Sequence, residues 1–199
     1  MQISIGLSDT ASADAANEIA RRNGWPVLYD STCQFSQPKL SELLSLWYIM
    51  ADRGVPRRQD MTARLLQPYM RMLALYERIP AEGGTRRYRV RLMGSAVVQV
   101  LGELTGRFLD DAVPEKFLPR WYAINDIPLA TGAPLRVLVR SDTFDKSHIV
   151  GELFCAPLRA EDGDTRLVLH AASFDGSRSW TEVAAETRQR LGLGPAGIV

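Results

Sequence analysis

The segment YRVRLMGSAVVQVLGELTGRFL, residues 88–109, changes its hydrophobic period abruptly, and this change constrains the fold strongly. It begins with strand-like alternation, in which Tyr88, Val90 and Leu92 oppose the arginines between them. Gly94 ends this pattern, and a glycine at such a junction indicates either a positive φ or a close backbone approach. SAVVQVLG then follows a helical period. The chain therefore leaves a β-hairpin here and builds a helical wall beside it.

Strand-like patterns before and after this segment predict one antiparallel sheet. The first two strands form a hairpin across Gly83 and Gly84, while Asp145-Lys146 and residues 161–164 supply the later turns. Apolar residues occur on both side-chain parities of the last three strands, so we expect the second face of the sheet to be partly covered. The five predicted strands span about residues 72–79, 86–93, 134–143, 148–158 and 165–174.

The strongest helical pattern covers residues 38–53. Pro38 lies in the first turn, where a missing N–H costs nothing, and Ser36 can cap the helix. An apolar stripe along this helix predicts that it packs on the second face of the sheet. The stripe consists of Leu40, Leu43, Leu44, Trp47, Met50 and Ala51.

Shorter helical patterns complete the α+β order. Residues 14–22 form a helix with a weak apolar face, which should pack loosely or serve as an arm, and residues 25–36 look irregular. A short helix at 95–102 and a longer one at 115–131 form the helical wall. The capping-box pattern SWTE opens a C-terminal helix that ends at Leu191.

Composition and charge argue against several classes of function. A formal net charge of +1 gives no electrostatic footprint for nucleic acid. The only two cysteines, Cys33 and Cys155, are far apart and provide neither a disulfide framework nor a metal-ligand spacing. The chain shows no secretory signal and no apolar run of membrane-spanning length. We therefore expect a cytoplasmic protein with no nucleic-acid or membrane partner.

This order of elements resembles the PAS fold, in which two strands, a helical segment and three strands enclose a small cavity. More closely, residues 38–175 resemble compact single-domain bacterial PAS proteins of alphaproteobacterial type. The resemblance implies a sensory or regulatory role without an assigned activity. It is carried by Trp47, Pro56, Arg58, Asp60, Tyr88, Arg89, Gly94 and the LTGRFL element at 104–109.

The resemblance also implies how the chain is organised. Residues 1–36 would be an N-terminal extension with a short helix, 37–176 the PAS-like domain with its flanking helix, and 177–199 a C-terminal helix and tail. No output module follows the last strand, so the domain is expected to signal in trans, through a protein partner or through its own dimerisation. The class of any cofactor stays open.

A PAS-like cavity would lie between the helical wall and the facing strands. An apolar pocket with few polar groups is the usual form of a small-ligand site. Arg89 is included because the family match falls on it, while the other arginines of its strand fit a charged sheet face. The candidate pocket residues are Arg89, Leu92, Val97, Val98, Leu101, Phe108, Trp121, Ile124 and Val139.

The chain shows no motif that would carry catalysis. Ser-His-Asp order, HExxH and a phosphate loop are all missing from the sequence, so we expect no enzyme, no catalytic residue and no metal site. His148 and His170 could hold haem or a metal, but hydrogen-bonded or solvated strand histidines are the favoured interpretation. Cys155 is expected to be a buried, inert thiol.

Two residues of the long helix lie off its apolar stripe. Leu46 and Tyr48 leave apolar surface beyond what one sheet contact needs, which commonly marks an association site. We therefore predict a homodimer through this helix, with Trp47 buried by the sheet. Three functions stay open: a sensor of a small molecule, an adaptor without a ligand, and, least favoured, a small enzyme on a cavity-bearing fold.

Overall fold

The computed structural model describes residues 12–51, 54–80, 86–140 and 149–194. Within them, six strands form one antiparallel sheet in the order β1-β4-β5-β6-β2-β3. The strands are β1 Val27–Asp30, β2 Leu73–Pro80, β3 Arg86–Met93, β4 Leu135–Arg140, β5 Val150–Arg159 and β6 Thr165–Asp175. The α-helices are α1 Ala13–Arg22, α2 Pro38–Met50, α3 Ala63–Leu66, α4 Ser95–Leu101, α5 Leu109–Ala112, α6 Leu118–Thr131 and α7 Trp180–Arg190. Short 3-10 turns cover Gln67–Met72 and Glu115–Phe117.

The fold is α+β and PAS-like, as the sequence predicts. Strands β2 and β3, the helical segment from α4 to α6, and strands β4 to β6 follow each other in the predicted order. The two predicted turns at Gly83-Gly84 and Asp145-Lys146, and His148, lie outside the described residues. No helix in the described ranges combines the length and the apolar character that crossing a lipid bilayer requires.

The prediction of five strands is wrong by one, because residues 25–36 contain β1. This strand pairs with β4, with Tyr29 opposite Val137. Its outer edge is closed by Asn17 of α1, whose Nδ2 donates to Tyr29 O at 2.7 Å while its Oδ1 accepts from Tyr29 N at 2.9 Å. A side-chain amide thus takes the place of a further strand.

Helices α1, α4 and α6 cover the first face of the sheet. Helix α1 does not pack loosely, since Ala16 and Ala20 are buried against β1 and β4. Alanine side chains allow the backbone of α1 to approach the sheet closely. The expectation of loose packing was wrong because it relied on the number of large apolar residues in the helix. The buried residues of this face include Ala16, Ala20, Tyr29, Val97, Ile124, Leu135, Val137, Leu153 and Val168.

Helix α2 covers the second face, as predicted. Leu40, Leu43 and Trp47 pack in one buried cluster with Phe154 and other residues of β5 and β6. The Trp47 indole N–H also donates to Pro157 O at 3.0 Å. This contact fixes the helix against the central strand of the sheet.

The cap of α2 differs from the prediction. Gln37 is the N-cap, and its backbone N–H donates to Glu152 Oε2 of β5 at 3.0 Å. Ser36 does not cap the helix, because its N–H and hydroxyl also bind the Glu152 carboxylate. Glu152 in turn accepts from Arg136 at 2.6 Å. A sheet carboxylate therefore satisfies the helix N-terminus, which local sequence cannot reveal.

The segment at 88–109 turns as its change of period predicts. Gly94 has φ −77°, so it needs no left-handed backbone. A Cβ there would lie 2.2 Å from Met70 O, so the glycine permits a close backbone approach. After α4 the chain returns to β3, where Val90 N donates to Arg107 O at 2.9 Å and Val90 O accepts from Gly106 N at 2.7 Å. The LTGRFL element thus closes the outer edge of β3.

Helix α7 flanks the second face near β1 and β4. It opens with the predicted capping box between Ser179 and Glu182. Near its end, Arg190 Nη2 donates to the buried carboxylate of Asp30 at 2.8 Å, and Asp30 also pairs with Arg136 at 3.0 Å. The C-terminal helix is therefore tied to the same ionic network that caps α2.

Candidate functional site

A cavity of about 60 Å³ lies between the first sheet face and helices α4 and α6. Most of its wall is apolar, and the polar side chains among the lining residues are few, as is typical of small-ligand sites. The lining residues are Met72, Ala74, Tyr76, Val97, Leu101, Arg120, Trp121, Ile124, Val139, Arg140, Gly151, Leu153, His170, Ala172 and Phe174.

Part of the predicted pocket set lines this cavity. Val97 and Leu101 come from α4, Trp121 and Ile124 from α6, and Val139 from β4. Both α4 and α6 present these apolar residues toward the sheet, where they meet short side chains such as Ala74 and Ala172. These short side chains leave the space between the sheet and the two helices partly unfilled. Whether it holds a ligand stays a prediction.

The structure places the other candidates elsewhere. Arg89 is exposed on β3. Phe108 packs its ring under the Arg87 guanidinium, 4.0 Å from centroid to Cζ. Val98 is half-buried on α4 and is not among the lining residues. Arg89, Phe108 and Val98 therefore do not line the cavity.

Leu92 packs on the opposite face of the sheet, beside the α2 cluster. The cause is a β-bulge: Leu75 pairs with Leu92, but the next residue, Tyr76, pairs with Val90. The extra residue in β3 reverses its parity, so Val90 and Leu92 point to opposite faces. Strict alternation, which the sequence suggests for Tyr88, Val90 and Leu92, breaks at this point.

His170 is the polar group of the cavity that the sequence prediction misjudged. It is neither solvated nor hydrogen-bonded through Nε2, which is buried without a partner. Burial lowers the pKa of His170 to about 3, so the imidazole is neutral near pH 7. Its ring lies 4.4 Å from the Tyr76 ring, centroid to centroid. Its position inside the apolar run LVLHAA of a central strand is the sequence signal that indicates burial.

Two further buried polar atoms without partners lie on the same side of the sheet. They are Tyr29 Oη on β1 and Asn125 Oδ1 on α6. Burial raises the pKa of Tyr29, and the nearby positive charge of Arg120 opposes this increase. Unpaired buried polar atoms are rare in native proteins and often indicate a bound water or ligand. Together with His170 Nε2, these atoms place unpaired polar groups between α6 and the sheet, where the rest of the core is mostly apolar.

The arginine of this region comes from the first turn of α6. Arg120 is 7% exposed, and its guanidinium lies 4.7 Å from the centroid of the Phe117 ring. A guanidinium keeps its charge, and the face of the Phe117 ring contributes a cation–π contact to it. Arg120 therefore brings a permanent positive charge to the wall of the cavity.

The cysteines provide no nucleophile. Both Cys33 and Cys155 are buried, and burial raises the pKa of Cys33 to about 12 and that of Cys155 well above its usual value. Both are therefore protonated thiols near pH 7, and only the thiolate is reactive. Among the described residues, no cluster of three or more His, Cys, Asp or Glu side chains could hold a metal ion.

The predicted interface residues of α2 differ in exposure. Tyr48 is 55% exposed, whereas Leu46 is half-buried and packs against the core cluster of the second face. Ile49, which the sequence analysis did not select, is 68% exposed. The apolar surface of this helix therefore centres on Tyr48 and Ile49.

The domain is α+β and PAS-like, with a small cavity between its sheet and its helical wall. No protein family and no curated protein matches the chain.

Among solved structures, the chain is similar to a light-oxygen-voltage domain studied with a flavin analogue, at 16% identity and a TM-score of 0.44, covering 64% of this chain and 93% of that one. An RNA-binding light-oxygen-voltage receptor is similar at 12% identity and a TM-score of 0.39, covering 93% of this chain and 57% of the receptor. The light-state structure of the Aureochrome1 blue-light photoreceptor domain matches at 12% identity and a TM-score of 0.39, covering 65% of this chain and 98% of that one. At these values the similarities say nothing about chemistry.

Proposed function

We propose that this protein is a sensory or regulatory domain that binds a small molecule in the cavity between α4, α6 and the sheet. The single observation that supports the proposal is the buried, unpartnered Nε2 of His170 at the wall of an apolar cavity. Leaving such a group unsatisfied costs about 1–3 kcal/mol, and a ligand that pairs with it removes this cost. Binding energy is therefore available at this site.

For signalling, we propose the role that the sequence analysis predicted. The domain acts in the cytoplasm as a member of the compact bacterial PAS group, without catalysis of its own, and passes ligand state to a partner in trans. The exposed Tyr48 and Ile49 on α2 favour a second copy of the chain as one such partner. An adaptor with no ligand is the second candidate function, and the same exposed surface supports it.

Metabolite capture tests the ligand. Ala172 lines the cavity, and Ala172→Leu fills it with three additional carbons. Purified wild-type protein, incubated with a small-molecule extract and analysed by mass spectrometry, should retain at least one compound that Ala172→Leu does not. Ala185→Leu, at an exposed position of α7, is the matched control and should behave like the wild type. Identical spectra from all three proteins would leave the adaptor as the function.

A further inference from the structure

The wall of the cavity contains a neutral polar group, the imidazole of His170. This residue of β6 is 3% exposed, and its Nε2 is buried without a hydrogen-bond partner. The imidazole is neutral near pH 7, because burial lowers its pKa to about 3. A neutral imidazole has one donor and one acceptor nitrogen, so a ligand group that both donates and accepts suits either nitrogen.

The rest of the wall disfavours a charged ligand. No Asp or Glu is among the described lining residues, so no carboxylate there would balance a cation. Arg120 and Arg140 both have interactions within the protein, the Phe117 ring being one partner of Arg120, so an anion would have to compete for them. Moving an ion from water into an apolar space also costs far more than moving a neutral group. A neutral molecule is therefore the favoured ligand.

The volume of the cavity limits the ligand to a few atoms. At about 60 Å³ it is much smaller than a cavity of ~150 Å³ that binds benzene. A molecule of roughly three or four non-hydrogen atoms can enter without displacing side chains. A ring system as large as a flavin or a haem would have to move Trp121 or other residues of the wall.

Apolar side chains line most of the remaining wall. Val97, Leu101 and Ile124 belong to the helices, and Leu153 and Ala172 belong to the sheet. A short alkyl chain matches these side chains, because apolar surface gains free energy when it leaves water. A second polar group on the ligand would find no partner among them and would weaken binding. The site therefore suits a ligand with one polar group and an apolar remainder.

We propose that the ligand of this cavity is a small neutral alcohol, of the size of ethanol or propanol, whose hydroxyl group bonds to the imidazole of His170 and whose alkyl chain packs on the apolar wall. The proposal rests on the proposed small-molecule function and specifies the ligand class. A hydroxyl group is both a donor and an acceptor, so a single oxygen can pair with the imidazole.

Three compounds of equal size test the requirement for a neutral ligand. Isotope-labelled wild-type protein is titrated with 1-propanol, acetate and propylammonium at pH 7 and constant ionic strength, and the imidazole ¹⁵N resonances of His170 are followed by NMR. 1-Propanol should shift these resonances with a Kd between about 50 µM and about 10 mM, the range open to a ligand of four non-hydrogen atoms. Acetate and propylammonium should each bind at least tenfold more weakly.

Chain length tests whether binding occurs in the cavity. Non-specific apolar binding strengthens with each added CH₂ group. A cavity of this volume predicts the opposite, so 1-hexanol should bind at least tenfold more weakly than 1-propanol. Ala172→Leu, which fills the cavity, should abolish binding of 1-propanol, whereas Ala185→Leu, at an exposed position of α7, should leave the Kd unchanged.

Substitutions of His170 test the hydrogen bond. His170→Leu removes both ring nitrogens and should weaken 1-propanol binding at least fivefold, with backbone amide shifts as the readout. His170→Gln keeps one donor group and one acceptor, so its Kd should stay within about threefold of the wild-type value. Equal Kd values for the wild type and His170→Leu would show that the hydroxyl group does not bond to the imidazole.

The outcomes separate the alcohol from the sensor function. Binding of acetate or propylammonium as tight as that of 1-propanol, tighter binding of 1-hexanol, or no shift with 1-propanol would overturn the alcohol. If Ala172→Leu still abolishes metabolite capture, the sensor function stands with a different ligand; if capture is also unchanged, both proposals fail. Should His170→Leu not fold, the comparison of the four compounds in the wild-type protein decides alone.

Discussion

At the scale of single residues, Gly94 provides the sharpest test of the fold. A Cβ at this position would meet Met70 O at 2.2 Å and Arg71 O at 2.5 Å, both backbone atoms that cannot move aside cheaply. Gly94→Ala should therefore destabilise the protein by about 2 kcal/mol or more, the upper part of the range for overpacking. Urea unfolding measures the change. Gly194→Ala, where a Cβ meets nothing within 4 Å, is the control, and equal midpoints for the two variants would contradict the close approach.

His170 makes a second prediction, which concerns pH. Its pKa is about 3 in the folded protein because of burial, against an ordinary value of 6.5. Between these values the unfolded chain binds a proton that the folded protein does not, so stability falls as the pH falls from 6.5 toward 3. Each pH unit in this window removes about 1.4 kcal/mol. The contribution is fully present above pH 6.5.

Replacing the imidazole should flatten this dependence. Between pH 7 and pH 4.5, the free energy of unfolding of His170→Leu should decrease by about 2–3 kcal/mol less than that of the wild type. Denaturant titrations at the two pH values provide the comparison, since the carboxylates contribute equally to both proteins. Parallel losses in the two proteins would mean that His170 can be protonated in the folded state.

The sequence predicted the residues of the cavity only in part, for physical reasons. Helical periodicity identified Val97, Leu101, Trp121 and Ile124, because each helix has one apolar face toward the sheet. The bulge opposite Leu75 could not be predicted, since it depends on strand pairing and not on local pattern. His170 was misjudged because a lone polar residue in a strand gives no sign of whether its neighbours can pair with it.

At the scale of elements, the helices and strands with a clear period were predicted within a few residues. Strand β1 was missed because its four residues, VLYD, are all buried and therefore show no alternation. Its place in the sheet depends on Asn17, Asp30 and Arg136, which are distant in sequence from one another. Polar contacts with other parts of the chain thus determine that β1 forms, whereas the local sequence does not indicate a strand there.

The prediction at the scale of elements concerns the polar contacts that attach α2 to the sheet. Glu152→Leu removes the acceptor for the N–H groups of Ser36 and Gln37 and leaves Arg136 with one ionic partner in place of two. Breaking a buried ion pair typically costs about 3–5 kcal/mol, and we expect a loss in this range. Glu152→Gln keeps an acceptor and should lose less.

A matched control exists on α7. Glu186 pairs with Arg178 at the surface, where water screens the ion pair and it contributes little to stability. Chemical unfolding of Glu152→Leu, Glu152→Gln and Glu186→Gln should therefore rank the variants in that order of destabilisation. If Glu152→Leu is no less stable than Glu186→Gln, the Glu152 carboxylate contributes nothing measurable to the attachment of α2.

At the scale of the whole molecule, both sheet faces are covered and the exposed apolar surface that remains includes the outer side of α2. Trp47 is buried there and bonded to β5, so its substitution should lower stability without a direct effect on association. Tyr48 and Ile49 differ from Trp47 because both are largely exposed. The Tyr48 ring still packs edge-to-face on the Trp47 ring, at 5.3 Å between centroids. Substitutions at different positions of this helix can therefore test the stability of the fold and the association of two chains separately.

Sedimentation velocity tests the homodimer at tens of micromolar protein. The wild type should sediment as a dimer, and Tyr48→Glu combined with Ile49→Glu should give a folded monomer, because two charges at an apolar interface are costly to desolvate. Leu46→Glu should instead lower stability, since this side chain packs against the core cluster that contains Trp47. Trp47→Ala should lower the unfolding midpoint by removing a buried aromatic ring. A monomeric wild type at these concentrations would refute self-association and leave the outer side of α2 for a different protein partner.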